Sequence, residues 1–224
     1  LDLAICTEVP QPDARAAHAG RAPITSRRLF AESWVAVLPR SAAVEAGASL
    51  STWDAFKAHI DTLANRSDAP GALPLIRYSQ RSVIGQQVER LLRHVGLRAP
   101  RRFEFDATDP LLSLVAAGLG WAISTPLCLW QSRAWLGDVQ VLPLPRIASA
   151  ALGRREFFLL GHAGTLAGLD DEVVRVTRQV LTHQAWPDLR RLMPALPDDV
   201  IELDAERGPD AAEASDPAAG AAPA

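Results

Sequence analysis

The sequence has little of what would tie it to a membrane, a metal or a disulfide framework. Its two cysteines, Cys6 and Cys128, each sit in an apolar context, which excludes a disulfide scaffold and reads as free, buried thiols in a reducing compartment. No run of 18 apolar residues occurs and no charged-then-apolar leader opens the chain. A membrane span and a visible secretion signal are therefore excluded, and a cytoplasmic location is expected. A basic face is lacking too, since 23 basic residues stand against 26 acidic ones for a net charge of −3. By itself this chain is not expected to bind nucleic acid. The five histidines, at 18, 59, 94, 162 and 183, show no metal-ligand spacing with each other or with the cysteines, so no metal and no cofactor is expected. Neither a G-x-S-x-G elbow nor a P-loop is found, and no paired acid and base stands at a strand end. Of the histidines, only His162, after a strand, is placed where it could line a cleft.

What is present is apolar material in quantity and in pattern. With 224 residues, 48% of them hydrophobic, the chain can bury one large core or two small ones. Leu1 to Cys6 alternates like a strand with no turn or cap before it, so the chain reads as a fragment whose opening falls inside an element. A Pro-, Ala- and Arg-rich loop follows. Residues 27 to 38 are strand-like, and Trp53, Phe56, Ile60 and Leu63 form the stripe of an amphipathic helix capped by Ser51 or Thr52. After a loop at 66–71, Leu73 to Tyr78 reads as a strand and Ser82 to Gly96 as a helix. A strand at 102–105 leads to Asp109-Pro110, where a capping side chain and a proline open a helix that Gly118 closes. Trp121 to Ile123 is a short buried strand, and Thr125-Pro126 opens the next helix. Strands at 139–144 and 156–160 follow. A helix carrying Leu169, Val173, Val176 and Val180 ends at Trp186-Pro187. Gly118 and Gly120 are structural, because only residues without a Cβ turn so tightly against a sheet.

Four stretches together carry a family likeness. Leu1-Asp2-Leu3-Ala4-Ile5-Cys6-Thr7-Glu8, Phe30 to Pro39, Leu114-Val115-Ala116-Ala117-Gly118-Leu119-Gly120 and Thr125-Pro126 resemble motifs of the effector-binding domain of LysR-type transcriptional regulators, over roughly residues 1 to 196. The resemblance implies an α/β chain with a two-lobed fold like that of type 2 periplasmic binding proteins. Lobe one would comprise 1–38 and 145–197 and be incomplete at its N-terminus; lobe two would comprise 39–144, with a disordered tail at 198–224. It also implies a bacterial sensor that dimerises through its lobes. DNA would be reached only through a helix-turn-helix domain that this chain does not contain, and no membrane is involved.

In open α/β sheets ligands settle beyond the carboxyl ends of strands. Two such ends are visible, Thr7-Glu8 after the first strand and Tyr78-Ser79-Gln80-Arg81-Ser82 before a strong helix; in the resembled family these loops face each other across the effector cleft. The second loop suits an anion, since helix-start amides, two hydroxyls, the Gln80 amide and the Arg81 guanidinium can converge on a carboxylate. Plainer roles compete: Ser79 or Ser82 as a helix cap, Arg81 as a solvated side chain, Thr7 bonded to its own turn, Cys6 as core. The expected function is thus binding of a small, anionic metabolite. The alternative is a periplasmic-type receptor delivering solute to a transporter, and an enzyme on the same scaffold ranks third.

Overall fold

The computed structural model describes residues 3–8, 24–42, 50–64, 73–100, 102–162 and 168–203. The Pro-, Ala- and Arg-rich loop, the loop at 66–71 and the tail beyond residue 203 lie outside the described residues.

Two sheets divide the strands. In the first, β1 (Leu3–Cys6), β8 (Arg154–His162), β2 (Ile24–Ser33) and β9 (Ile201–Leu203) lie in that order, each pair antiparallel. The second runs β5 (Phe103–Phe105), β4 (Leu75–Tyr78), β6 (Trp121–Ser124), β3 (Val35–Pro39) and β7 (Val139–Pro143). There β4 is parallel to β5 and β6, while β3 is antiparallel to β6 and β7. The strand-like run at 27–38 is therefore two strands broken at Trp34, and its second half pairs in the second sheet. The chain returns to the first sheet between β7 and β8. At this double crossing the buried Trp34 donates its indole N–H to the Leu152 carbonyl at 2.9 Å, which ties the outbound passage to the return.

Helices cover the second sheet: α1 (Trp53–Ala64), α2 (Val83–His94) and α3 (Thr108–Ala116). Their apolar stripes meet strands buried on both faces, so Phe56, Leu75, Ile76, Leu91, Leu111 and Trp121 share one core. Phe56 stands edge-on to both Trp53 and Trp121. Around the first sheet the packed cluster is smaller, with Leu29, Phe30, Leu159, Leu181 and Ala185 at its centre and Phe30 stacked on Phe157. Among the described residues, the remaining α-helices are α4 (Pro126–Gln131), α5 (Ala150–Gly153), α6 (Leu169–Val180) and α7 (Trp186–Leu192).

Both structural glycines behave as the sequence requires. Gly118 closes α3 at φ +77°, and a Cβ on Gly120 would stand 2.3 Å from the Pro74 carbonyl oxygen. Three local expectations change. First, α3 begins at Thr108, before Asp109-Pro110, and Ala107 occupies its N-cap without a side-chain bond. Second, Trp186-Pro187 does not end the C-terminal helix. The turn widens to a π-helix over Leu181–Ala185, and Pro187 then opens α7, where a missing N–H costs nothing. Third, residues 198–203, assigned by sequence to a disordered tail, form a turn and β9. Val200 is buried, and alternating Ile201 and Leu203 pack against the cores as β9 pairs with β2.

Candidate functional site

Because β4 and β6 are parallel, their carboxyl ends open at the same edge of the second sheet. Tyr78 ends β4 and Ser124 ends β6. The Tyr78 hydroxyl lies 2.8 Å from Ser124 Oγ and 2.9 Å from Thr108 Oγ1, so three hydroxyls from a strand, its neighbour and the start of α3 are chained together. Tyr78 itself is buried. Burial, with the nearby Cys128 thiol adding to it, pushes the phenol well above its ordinary 10.0, leaving it a neutral donor and acceptor.

Beyond Tyr78 the loop folds on itself. Ser79 Oγ accepts from the Arg81 amide at 3.3 Å, Ser82 Oγ donates to the Ser79 carbonyl at 2.7 Å, and the Gly85 amide donates to Ser82 Oγ at 3.1 Å. Ser82 is thus the N-cap of α2. Gly85 allows this closeness, since a Cβ there would fall 2.1 Å from the Ser79 carbonyl oxygen. The Gln86 side-chain amide donates to the Gln80 carbonyl, while the Gln80 and Arg81 side chains are exposed. Among the described residues, the Arg81 guanidinium has no ion pair or side-chain hydrogen bond.

From the first sheet, Thr7 follows β1 half-buried and Glu8 follows it exposed. Glu8 reaches Arg90 on α2 at 2.5 Å. This loop and α2 therefore face one another, although the contact falls on the middle of α2 and not on the Ser79–Ser82 turn at its start. His162 lies at the end of β8 remote from this edge: Ser33 pairs with Arg154 beside the crossing, and Ile24 pairs with His162 eight residues along β8.

Sequence reasoning missed a buried charge at the junction. Glu32, at the end of β2, is fully buried and accepts the Leu127 amide of α4 at 3.0 Å, so a carboxylate from the other sheet caps the helix that Thr125 was expected to cap. Its second oxygen stands 3.6 Å from Arg155 Nη1, its cross-strand partner on β8. Burial raises the Glu32 carboxyl above its ordinary 4.5, and the Leu127 amide and Arg155 oppose that rise. Arg155 also lies over the Phe157 ring and reaches Cys128 Sγ at 3.8 Å. The available signal was a lone acid inside the apolar run Leu29 to Leu38; a buried charge needs a partner. No group of three or more possible metal ligands occurs among the described residues. No helix among them is long and apolar enough to cross a membrane.

The family model described as the LysR substrate binding domain matches residues 1–186. Solved structures share the fold at low identity. A cysteine-to-serine mutant of Corynebacterium glutamicum OxyR in H2O2-bound form is 14% identical, with TM-score 0.57 over 85% of this chain and 52% of that one. A mutant OxyR2 regulatory domain from Vibrio vulnificus in sulfate-bound form is 13% identical, with TM-score 0.53 over 81% of this chain and 73% of that one. The reduced OxyR regulatory domain from Pseudomonas aeruginosa is 19% identical, with TM-score 0.50 over 81% and 72%. This chain spans about half the length of the Corynebacterium protein. No curated protein matches it by sequence.

Proposed function

The chain belongs to the LysR substrate-binding-domain family, with its two-lobed α/β fold, and from that premise we propose that it senses a small anionic metabolite between its lobes. Lobe one is built on the first sheet and lobe two on the second. The ligand lies at the carboxyl edge of β4 and β6, held by Ser79, Gln80 and Arg81 from lobe two and approached by Thr7 from lobe one. Tyr78 and Ser82 act beneath it: Tyr78 ties the edge together through Ser124 and Thr108, and Ser82 fixes the start of α2. Glu8 acts across the gap through Arg90.

One observation carries this reading. An exposed arginine, without a side-chain partner among the described residues, stands on a rigidly self-bonded turn at a strand's carboxyl end, beside the start of a 12-residue helix. The helix end attracts negative charge and the guanidinium can take a carboxylate in a two-pronged bond. Each charge-assisted hydrogen bond contributes about 1.5–3 kcal/mol. Set against an association cost of at least about 4 kcal/mol, three of them give millimolar to micromolar affinity, a range suited to sensing a metabolite. That the Vibrio relative holds sulfate agrees with an anion.

The chemistry is binding without turnover. Closure of the lobes around the effector shifts the population of oligomeric arrangements, and so the engagement of DNA, inside the bacterial cytoplasm. In a thermal-shift screen of small carboxylates and sulfate, at least one anion raises the melting temperature of the wild-type chain and fails to do so for Arg81→Ala. An equal shift in both proteins removes Arg81 from the site.

A further inference from the structure

At the other end of β4, remote from the proposed cleft, lies a cavity of about 380 Å³. Its walls are α1, the amino ends of β4 and β6, residues 96–100 and Arg102 ahead of β5. A four-residue strand separates the two places by about 10 Å. The floor is apolar: half-buried Leu73, Pro74, Leu97 and Ala99 line it over the buried Ile60, Leu75 and Trp121, and Trp121 is held in place by its backbone N–H donating to the Pro74 carbonyl at 3.0 Å and by Phe56 against its ring.

The rim is charged in one sense. Among the described residues, Lys57, Arg98 and Arg102 stand there against a single acid, Asp61. Lys57 is already engaged by Asp54 at 3.2 Å and by the Val95 carbonyl at 3.3 Å. Arg98 and Arg102 are exposed, and among the described residues neither has an ion pair or side-chain hydrogen bond. Two free guanidinium groups over an apolar floor, in a hollow of the size that holds organic ligands, suit one class of occupant: an anion with an apolar body. An inorganic anion would leave the floor uncovered, and a neutral apolar molecule would leave the arginines unanswered.

We infer that this hollow between α1 and residues 96–100 is a second ligand site, specific for an amphipathic monoanion. It is separate from the cleft, so the two ligands bind independently of each other's contact residues.

Octanoate is the probe, titrated calorimetrically into the whole chain beside its neutral analogue octanamide. Wild type binds octanoate, Arg98→Glu/Arg102→Glu weakens it by about tenfold or more, and octanamide binds wild type more weakly by a similar factor. Arg81→Ala leaves octanoate binding unchanged, and sulfate does not compete with it. Both rim arginines are exposed, so the double variant keeps the fold, and the octanamide comparison needs no variant at all. Unaltered octanoate affinity in the charge-reversed protein overturns the assignment, as does no octanoate binding to wild type or equal affinity for octanamide. Loss of binding in Arg81→Ala overturns it in favour of the cleft, whereas an Arg81 variant that loses only inorganic or small-carboxylate binding leaves this site standing.

Discussion

At the scale of single residues, two positions carry consequences that can be measured without any ligand. Gly120 packs its Cα against the backbone of Pro74, and the 2.3 Å approach of a Cβ to that carbonyl has no flexible side chain to relieve it. Gly120→Ala is expected to cost roughly 1–3 kcal/mol in urea unfolding, and a change under a few tenths would show that the strand can shift. Glu32 acts through pH. Its folded-state pKa is raised, so the fold takes up its proton more readily than the unfolded chain does. Its contribution to stability is therefore fully present below the ordinary 4.5 and is lost as pH rises through the raised folded value. Melting curves of wild type and Glu32→Gln should accordingly diverge, wild type gaining on the variant as pH falls through the raised folded value towards the ordinary 4.5. Parallel curves would contradict a buried, titrating carboxyl. Gly120 was legible in the sequence, because a glycine after a helix end and before an apolar strand has few other uses. The partners of Glu32 were not, since 95 residues separate it from Leu127 and no local pattern encodes that meeting.

At the scale of elements, the sequence spoke clearly where periodicity was long and less clearly where ends were set by other parts of the fold. The α1 stripe and the α2 helix behind Ser82 were readable, since each repeats its apolar positions over three turns. The start of α3 and the survival of the C-terminal helix past Trp186-Pro187 were not. A cap depends on which donor actually finds a partner, and a π-turn can reorganise the carbonyls that a proline would otherwise offend. The candidate site divides in the same way. Ser79 to Ser82 stood out as a strand-to-helix loop, whereas the Tyr78, Ser124 and Thr108 chain depends on strand order. Ser82 can be tested on its own element: removing the oxygen that the Gly85 amide donates to, in Ser82→Ala, should cost about 0.5–2 kcal/mol. Should that loss be absent from chemical denaturation, the turn is held by Ser79 instead.

At the scale of the whole molecule, the two sheets are joined by shared packing as well as by polar contacts: Leu189, Met193 and Val200 enter the larger core beside Phe56 and Trp121, and Trp130 of α4 donates to Asp188 of α7 at 3.1 Å. The exposed pair of Glu8 and Arg90 adds about 1 kcal/mol or less. The Glu32 cap and the Trp34 bond lie at the crossing itself. The proposed sensing requires only that an anion engage both sheets at once. The most direct test of that account is calorimetric titration of the best small anion from the screen into wild type, Thr7→Ala and Arg81→Ala. An anion held by both lobes loses affinity in each variant, by about tenfold or more for the arginine. Wild-type affinity in both variants would contradict the account.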